Sequence, residues 1–159
     1  MNSRDKIYKY LDDITNYYYE KIENNNTLSF LKKEVKCIDE GLDLIDLNVL
    51  PISENDIQNY RLKQRENLKE NNYLEKSKEL NIQLTTAIFK SGLYSAMSKL
   101  ERAVYDALNC LFPIEIETQD LLIEHFIWAI TTDYKVDEEK TLELLIKYFN
   151  EVLDSPNYT

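Results

Sequence analysis

The chain has 159 residues, of which 43% are hydrophobic, and it contains only 2 Gly and 3 Pro. This length fits a single domain over 1–159 with a sizeable core, and the scarcity of turn-forming residues disfavours all-β sandwiches and barrels. The net charge of −10 disfavours proteins that bind nucleic acids or anionic membranes, because phosphate binding depends on clustered Lys and Arg.

Apolar residues at three-to-four spacing predict two amphipathic helices near the start of the chain. The first covers 3–23 and points Tyr18 inward, with the two neighbouring tyrosines on its flanks. Asparagines end it, because this residue favours turns. The second helix is predicted from Thr27 to about residue 47, and Gly41 within it is expected to let a neighbour approach closely.

The middle of the chain is more polar. Ser53 is predicted to cap a third helix. The stretch 61–79 is poor in apolar residues and alternates in charge, which predicts a solvent-exposed helix or a mobile link. Its basic residues Arg61, Lys63 and Arg65 are expected to pair with glutamates of the same helix.

Three further helices are predicted in the second half. One runs from about 80 to 111, with small residues at 91–96 as a close helix crossing. A strongly apolar helix, capped by Thr118 and reaching about 131, is expected to be central, with His125 as a buried, hydrogen-bonded residue. Asp137 is predicted to cap the last helix. The expected fold is therefore all-α, an irregular bundle of about six helices around one core, with the helix at 118–131 in its centre.

Sequence features also favour a cytoplasmic location. The first residues lack the apolar stretch of a signal peptide, and no apolar run is long enough to span a bilayer. Cys37 and Cys110 match no metal-binding spacing and are expected to be reduced.

The motifs of common enzyme classes are missing. The chain contains no phosphate-binding glycine loop, no dinucleotide-binding motif and no nucleophile elbow. One histidine is too few for a three-histidine metal site. We therefore expect a binding protein without catalytic residues, bound metal or cofactor.

One acidic pattern indicates an alternative. Glu20-Lys-Ile-Glu23, followed later by Glu40-Gly-Leu-Asp43, resembles the metal-binding signature of the MazG-like all-α nucleoside triphosphate pyrophosphohydrolases. The resemblance implies that these four carboxylates hold Mg²⁺ ions that bind the substrate phosphates. Shared ligation requires the connection after the first helix to extend to about residue 33, whereas a tight turn leaves the acidic residues at the surface.

The distribution of charge indicates a different function. Residues 113–159 hold 11 acidic and 3 basic groups. On the predicted second helix, three aspartates recur on one side. Such surfaces suit a basic protein partner, most concretely a nuclease-like bacterial toxin held by an immunity protein, or else a host defence complex blocked by a phage or mobile-element protein. The predicted partner-binding residues are Asp39, Asp43, Asp46, Glu117, Asp120, Glu124, Asp133, Tyr134, Asp137 and Glu138.

Overall fold

The computed structural model describes residues 2–22, 27–90, 92, 94–116 and 120–153, apart from the side chain of Asp133. In these ranges it contains no β-strand, so the predicted all-α bundle is confirmed. The α-helices are α1 (Ser3–Tyr17), α2 (Thr27–Gly41), α3 (Glu54–Asn67), α4 (Tyr73–Phe89), α5 (Lys99–Asn109), α6 (Leu122–Trp128) and α7 (Glu138–Leu153). None of these helices is long and apolar enough to cross a membrane.

The first helix behaves as its apolar spacing predicts. Asn2 caps α1 by accepting a hydrogen bond from the Asp5 amide, and a π-helical turn at Tyr18–Ile22 continues the helix. Tyr18 is buried against Phe30, whereas the tyrosines on either side of Tyr18 are half-buried. The triple tyrosine is therefore the end of a packed helix, with one ring in the core.

Gly41 marks a close approach of three helices, as predicted. A Cβ atom placed there would lie 2.6 Å from Phe126 Cε2 in α6 and 2.9 Å from Leu144 Cδ2 in α7. Glycine therefore lets α2 pack against both helices at van der Waals distance.

The short helix α6 is central, and a side chain of another helix accepts a hydrogen bond from a backbone amide of its first turn. Ile123, Phe126 and Ile127 are fully buried. Leu121 occupies the N-cap position and offers no capping side chain, but the buried carboxylate of Glu34 in α2 accepts a hydrogen bond of 2.9 Å from the Ile123 amide. A carboxylate at a helix N-terminus also interacts favourably with the helix dipole. The predicted cap, Thr118, lies outside the described residues.

The second helix ends earlier than predicted. It stops at Gly41 and is followed by short 3₁₀ turns at Leu42–Leu44 and Leu47–Val49. Asp46 caps the second turn by accepting a hydrogen bond from the Asn48 amide, so it does not share a helical side with the earlier aspartates. Aspartate competes with the helix in this way because its side chain bonds the local backbone.

The predicted helix over 80–111 is also wrong. Helix α4 ends at Phe89, and Ser98 starts α5 with a capping box that involves Glu101. The described small residues between the helices form no crossing, since Ser95 and Ala96 are exposed and a Cβ atom at Gly92 would meet nothing within 4 Å, while Ser91 lies outside the described residues. A strong capping signal has overridden the apolar periodicity.

The polar stretch 61–79 contributes to the interior instead of being wholly exposed. Arg61, Gln64, Tyr73 and Ser77 are all buried. The Gln64 amide donates to the Ser77 hydroxyl at 2.9 Å and to the backbone oxygen of residue 111 at 2.7 Å. These bonds join α3, α4 and the end of α5.

The last helix begins as predicted. The Asp137 carboxylate accepts hydrogen bonds from the amides of Glu139 and Lys140 and so caps α7. The helix bends at Phe149, whose backbone is non-helical (φ −124°, ψ 30°) and whose ring is fully buried.

Candidate functional site

Among the surface depressions lined by polar side chains is a charged cleft. This cleft of about 300 Å³ is lined by charged side chains of α2, α3 and the turn that follows α2: Lys36, Asp39, Glu40, Asp43, Arg61 and Arg65. Asp39 and Asp43 are predicted partner-binding residues, and Glu40 and Asp43 belong to the MazG-like pattern.

An internal ion-pair network occupies the charged cleft. The Arg61 side chain is only 3% exposed, and its Nε donates to Asp39 Oδ1 at 2.8 Å. A terminal nitrogen of Arg61 donates to the Asp39 backbone oxygen at 2.6 Å and to Asp43 Oδ1 at 3.0 Å. Arg65 donates to the second oxygen of Asp39, and this hydrogen bond raises the pKa of the Arg65 guanidinium.

This network corrects the predicted pairing of the basic cluster. Arg61 and Arg65 lie one turn apart on α3 and pair with carboxylates of α2 and its following turn, not with glutamates of α3. The reason is that this side of α3 packs toward α2. Asp39 and Asp43 are consequently engaged within the chain, and the cleft is close to electrically balanced.

The four carboxylates of the MazG-like pattern are not assembled into a metal site in the described part of the chain. Helix α2 begins at Thr27, so the long connection that shared ligation requires is not present. Glu40 lies almost at the far end of α2, roughly 20 Å along its axis, and it pairs with Lys147. Glu20 is exposed, Glu23 lies outside the described residues, and no three His, Cys, Asp or Glu side chains in the described ranges are grouped to hold an ion.

The structure places the predicted partner-binding residues of the last third of the chain at several different positions. Asp120 is exposed and Glu124 is partly buried. The Tyr134 hydroxyl accepts a hydrogen bond of 2.8 Å from the Asp46 amide. Asp137 caps α7, and Glu138 lies in the first turn of that helix. Glu117 and the side chain of Asp133 lie outside the described structure.

Part of the acidic region meets an aromatic pair of which one ring is exposed. Trp128, at the end of α6, is 49% exposed, and its ring centroid lies 5.6 Å from that of Tyr8 in α1. Asp12 lies one turn after Tyr8, and Glu124 lies one turn before Trp128, so these carboxylates share the sides of their helices with the two rings. We call Tyr8, Asp12, Asp120, Glu124 and Trp128 the acidic aromatic face.

Glu124 is subject to repulsion from the other two carboxylates of this face. Partial burial raises the pKa of Glu124, and repulsion from Asp120 and, more weakly, from Asp12 raises it further. Attraction to His125 acts in the opposite direction. Repulsion of the Glu124 carboxylate by neighbouring carboxylates favours a cation at this surface.

One cation of the chain already contacts Tyr8 of this aromatic pair. The Arg4 guanidinium carbon lies 5.8 Å from the Tyr8 ring centroid, and its Nε donates to the Tyr8 hydroxyl at 3.2 Å. This hydrogen bond raises the pKa of Arg4, with a small contribution from Glu138. The Tyr8 edge of the face is therefore occupied by a guanidinium of the same chain.

The second depression, which we call the Trp128 groove, adjoins the face. Its volume is about 530 Å³, and it lies between α6 and the end of α5 with the segment that follows. Among the residues that line it are Asp106, Cys110, Ile114, Glu115, His125 and Trp128.

His125 corrects another prediction, because its side chain is exposed on this groove and not buried in the core. Successive helical residues are rotated by about 100°, so the fully buried Phe126 directs its predecessor outward. The same rotation places Trp128 outside. The sequence contained a signal for this exposure. Glu124 and His125 are the polar residues of an otherwise apolar segment, and helical spacing places Trp128 on the same side as both.

Comparisons of the chain with protein-family models, curated proteins and solved structures find no match.

Proposed function

We propose that the protein binds a basic protein through the acidic aromatic face and inhibits it, most concretely as an immunity protein that neutralises a nuclease-like bacterial toxin. The observation that carries this proposal is the half-exposed Trp128, whose ring lies 5.6 Å from that of Tyr8 at a tilted angle, with carboxylates on the same sides of the two helices. Tryptophan and tyrosine dominate the binding energy of many protein interfaces, because their large rigid rings gain contact area at low entropic cost.

Charge determines the kind of partner. Asp120 and, more weakly, Asp12 repel the Glu124 carboxylate, and a partner's Lys or Arg side chains would relieve that repulsion. The net charge of −10 would also accelerate the encounter with a basic surface. Nucleases suit this description because their clefts bind phosphate and are basic. An acidic protein over such a cleft would exclude the substrate.

The proposed interface omits some of the predicted residues. Asp39 and Asp43 are paired with Arg61 in the charged cleft, and Asp46 and Asp137 cap local turns. Their carboxylates already serve the fold. The proposal therefore rests on the face at α1 and α6.

The test compares two triple variants with the same change in net charge. The face variant carries Asp12→Asn, Asp120→Asn and Glu124→Gln. The control variant carries substitutions at exposed glutamates on α4 and α7: Glu75→Gln, Glu79→Gln and Glu143→Gln.

Immobilised wild type and control variant should retain one basic protein from extracts of the source cells, and the face variant should lose it. The purified partner should bind with an affinity that falls steeply as salt rises, and its activity should decrease on titration with the wild type. An acidic partner, binding that is indifferent to salt, equal loss with both variants, or a partner whose activity is unchanged would overturn the proposal.

A further inference from the structure

We infer that Glu34, which is buried in α2, is the positioning residue of the acidic aromatic face: its carboxylate fixes the first turn of α6 and thereby determines where Trp128 meets Tyr8. This inference deepens the proposed function, because it names a residue outside the face on which the face depends. Its importance for partner binding rests on the proposed function, whereas its effect on the two rings can be measured without a partner.

The face spans two helices that have different main neighbours. Helix α1 packs mainly against α7, whereas α6 packs mainly against α2 and α5, and direct packing between α1 and α6 is sparse. The Tyr8 and Trp128 rings, whose centroids lie 5.6 Å apart, therefore meet across a boundary between two packed groups of helices. The relative position of the rings consequently depends on what holds α6 to the rest of the bundle.

The two helices run in opposite directions across the face. Tyr8 meets Trp128, and one turn away on each helix Asp12 repels the Glu124 carboxylate. A shift of α6 along its axis by one turn, about 5.4 Å, would separate the two rings and place Trp128 opposite Asp12 instead. The face therefore exists in only one register of α6 against α1.

Glu34 holds the end of α6 that has no cap of its own. Glu34 is 3% exposed, and its Oε2 accepts a hydrogen bond of 2.9 Å from the Ile123 amide. Leu121, at the N-cap position, supplies no side-chain acceptor. A buried carboxylate is costly unless hydrogen bonds satisfy it, and charge-assisted hydrogen bonds are short and strong. The first turn of α6 is therefore tied firmly to α2.

Helix α2 also contacts α6 at a second point. Gly41 follows Glu34 by about two turns, so the two residues lie on the same side of α2. A Cβ atom at Gly41 would lie 2.6 Å from Phe126 Cε2, which belongs to the turn of α6 after Ile123. Two points of contact determine both the position and the direction of this short helix. Trp128, at its end, follows from them.

The test uses NMR, in which the one tryptophan of the chain gives a single indole signal. Wild type should show nuclear Overhauser effects between the Trp128 indole and the Tyr8 ring. Glu34→Gln keeps an acceptor oxygen for the Ile123 amide and should retain these effects, whereas Glu34→Leu has no acceptor and should lose them. Ile57→Ala is the control: it removes buried atoms from α3, outside the face, and should lower the melting temperature without loss of the effects.

Hydrogen exchange of Glu34→Gln provides a second measurement in case Glu34→Leu does not fold. The Ile123 amide should exchange with solvent several-fold faster in this variant than in wild type, because a charged acceptor makes a stronger hydrogen bond than a neutral one. Affinity for the basic partner should follow the rings. Glu34→Leu should bind at least about tenfold more weakly, because aromatic anchors of interfaces often contribute more than that, and Ile57→Ala should bind normally.

Retention of the effects between the two rings in Glu34→Leu, their equal loss in Ile57→Ala, or equal exchange of the Ile123 amide in wild type and Glu34→Gln would overturn the inference. None of these measurements requires the partner. If the rings respond as expected but the triple variant of the face still retains the basic partner, the proposed function fails and the positioning role of Glu34 stands.

Discussion

The guanidinium of Arg61 is buried against the carboxylate of Asp39, 22 positions earlier in the chain, and joins α3 to α2. Two hydrogen bonds reach Asp39 itself, one to its side chain and one to its backbone oxygen. The role of the pair is to hold two helices together, which is why we do not assign it to partner binding.

Replacing Arg61 by Ala should lower the free energy of unfolding by about 3 kcal/mol, because a partly buried carboxylate loses its best partner. Because Arg65 remains paired with Asp39, we expect the loss of stability to lie at the lower end of the range for buried ion pairs. Urea denaturation followed by circular dichroism measures the change. Arg65→Ala is the matched control: its side chain is 48% exposed, so we expect a loss of about 0–1 kcal/mol. Similar losses in the two variants would contradict the assigned burial of Arg61.

Replacing Gly41 by Ala should destabilise the protein by about 1–3 kcal/mol, because the new methyl group would overlap the Phe126 ring and Leu144. This loss outweighs the gain of about 1 kcal/mol that Ala brings to a helix. Thermal unfolding of the two proteins gives the comparison. Gly92→Ala meets nothing within 4 Å and should be neutral or slightly stabilising. A stabilised Gly41→Ala protein would show that α2, α6 and α7 do not meet closely at this position.

The carboxyl group of Glu124 should titrate at a higher pH than an ordinary glutamate, because of partial burial and the repulsion from Asp120 and Asp12. The folded state then binds the proton more tightly than the unfolded state does. Ionisation of Glu124 therefore destabilises the folded state. This loss of stability develops as pH rises from the pKa of Glu124 in the unfolded chain to its higher pKa in the folded protein, and it is absent at lower pH.

Carbon-13 NMR of the side-chain carboxyl group measures the Glu124 titration directly. Asp12→Asn with Asp120→Asn should bring the pKa part of the way back toward its usual value, whereas burial maintains the rest. In the Glu124→Gln protein, the corresponding slope of stability against pH should disappear. An unchanged pKa in the double variant would mean that the three carboxylates are not neighbours.

N-ethylmaleimide should modify Cys110 much faster than Cys37 in the folded protein. Cys110 is partly exposed in the Trp128 groove, whereas Cys37 is fully buried, and burial raises the pKa of its thiol. The thiolate is the reactive form, so Cys37 is both shielded and protonated. Mass spectrometry after timed quenching gives the two rates.

The same modification should change the fluorescence of Trp128, because the added group occupies the groove that this residue borders. Cys110→Ser protein treated in the same way is the control and should show no change. Equal reaction rates for the two thiols would contradict the packing of α2 against α6 and α7.

Short-range patterns in the sequence were sufficient for the helical class, the inward position of Tyr18 and the caps at Ser53 and Asp137. Each depends on residues within one or two turns, where the periodicity of apolar residues and the chemistry of a capping side chain act locally. Gly41 belongs with them, since a lone glycine in an apolar helix indicates a close neighbour.

The tertiary structure decided which side chains meet. Periodicity shows which side of a helix faces inward, but it contains no information about the helix that packs there, so the pairing of Arg61 with Asp39 could not be derived. The exposure of Trp128 and its position against Tyr8 also depend on where α6 lies relative to α1. The candidate site therefore exists only because chain packing brings together residues that are remote in sequence and that local patterns describe separately.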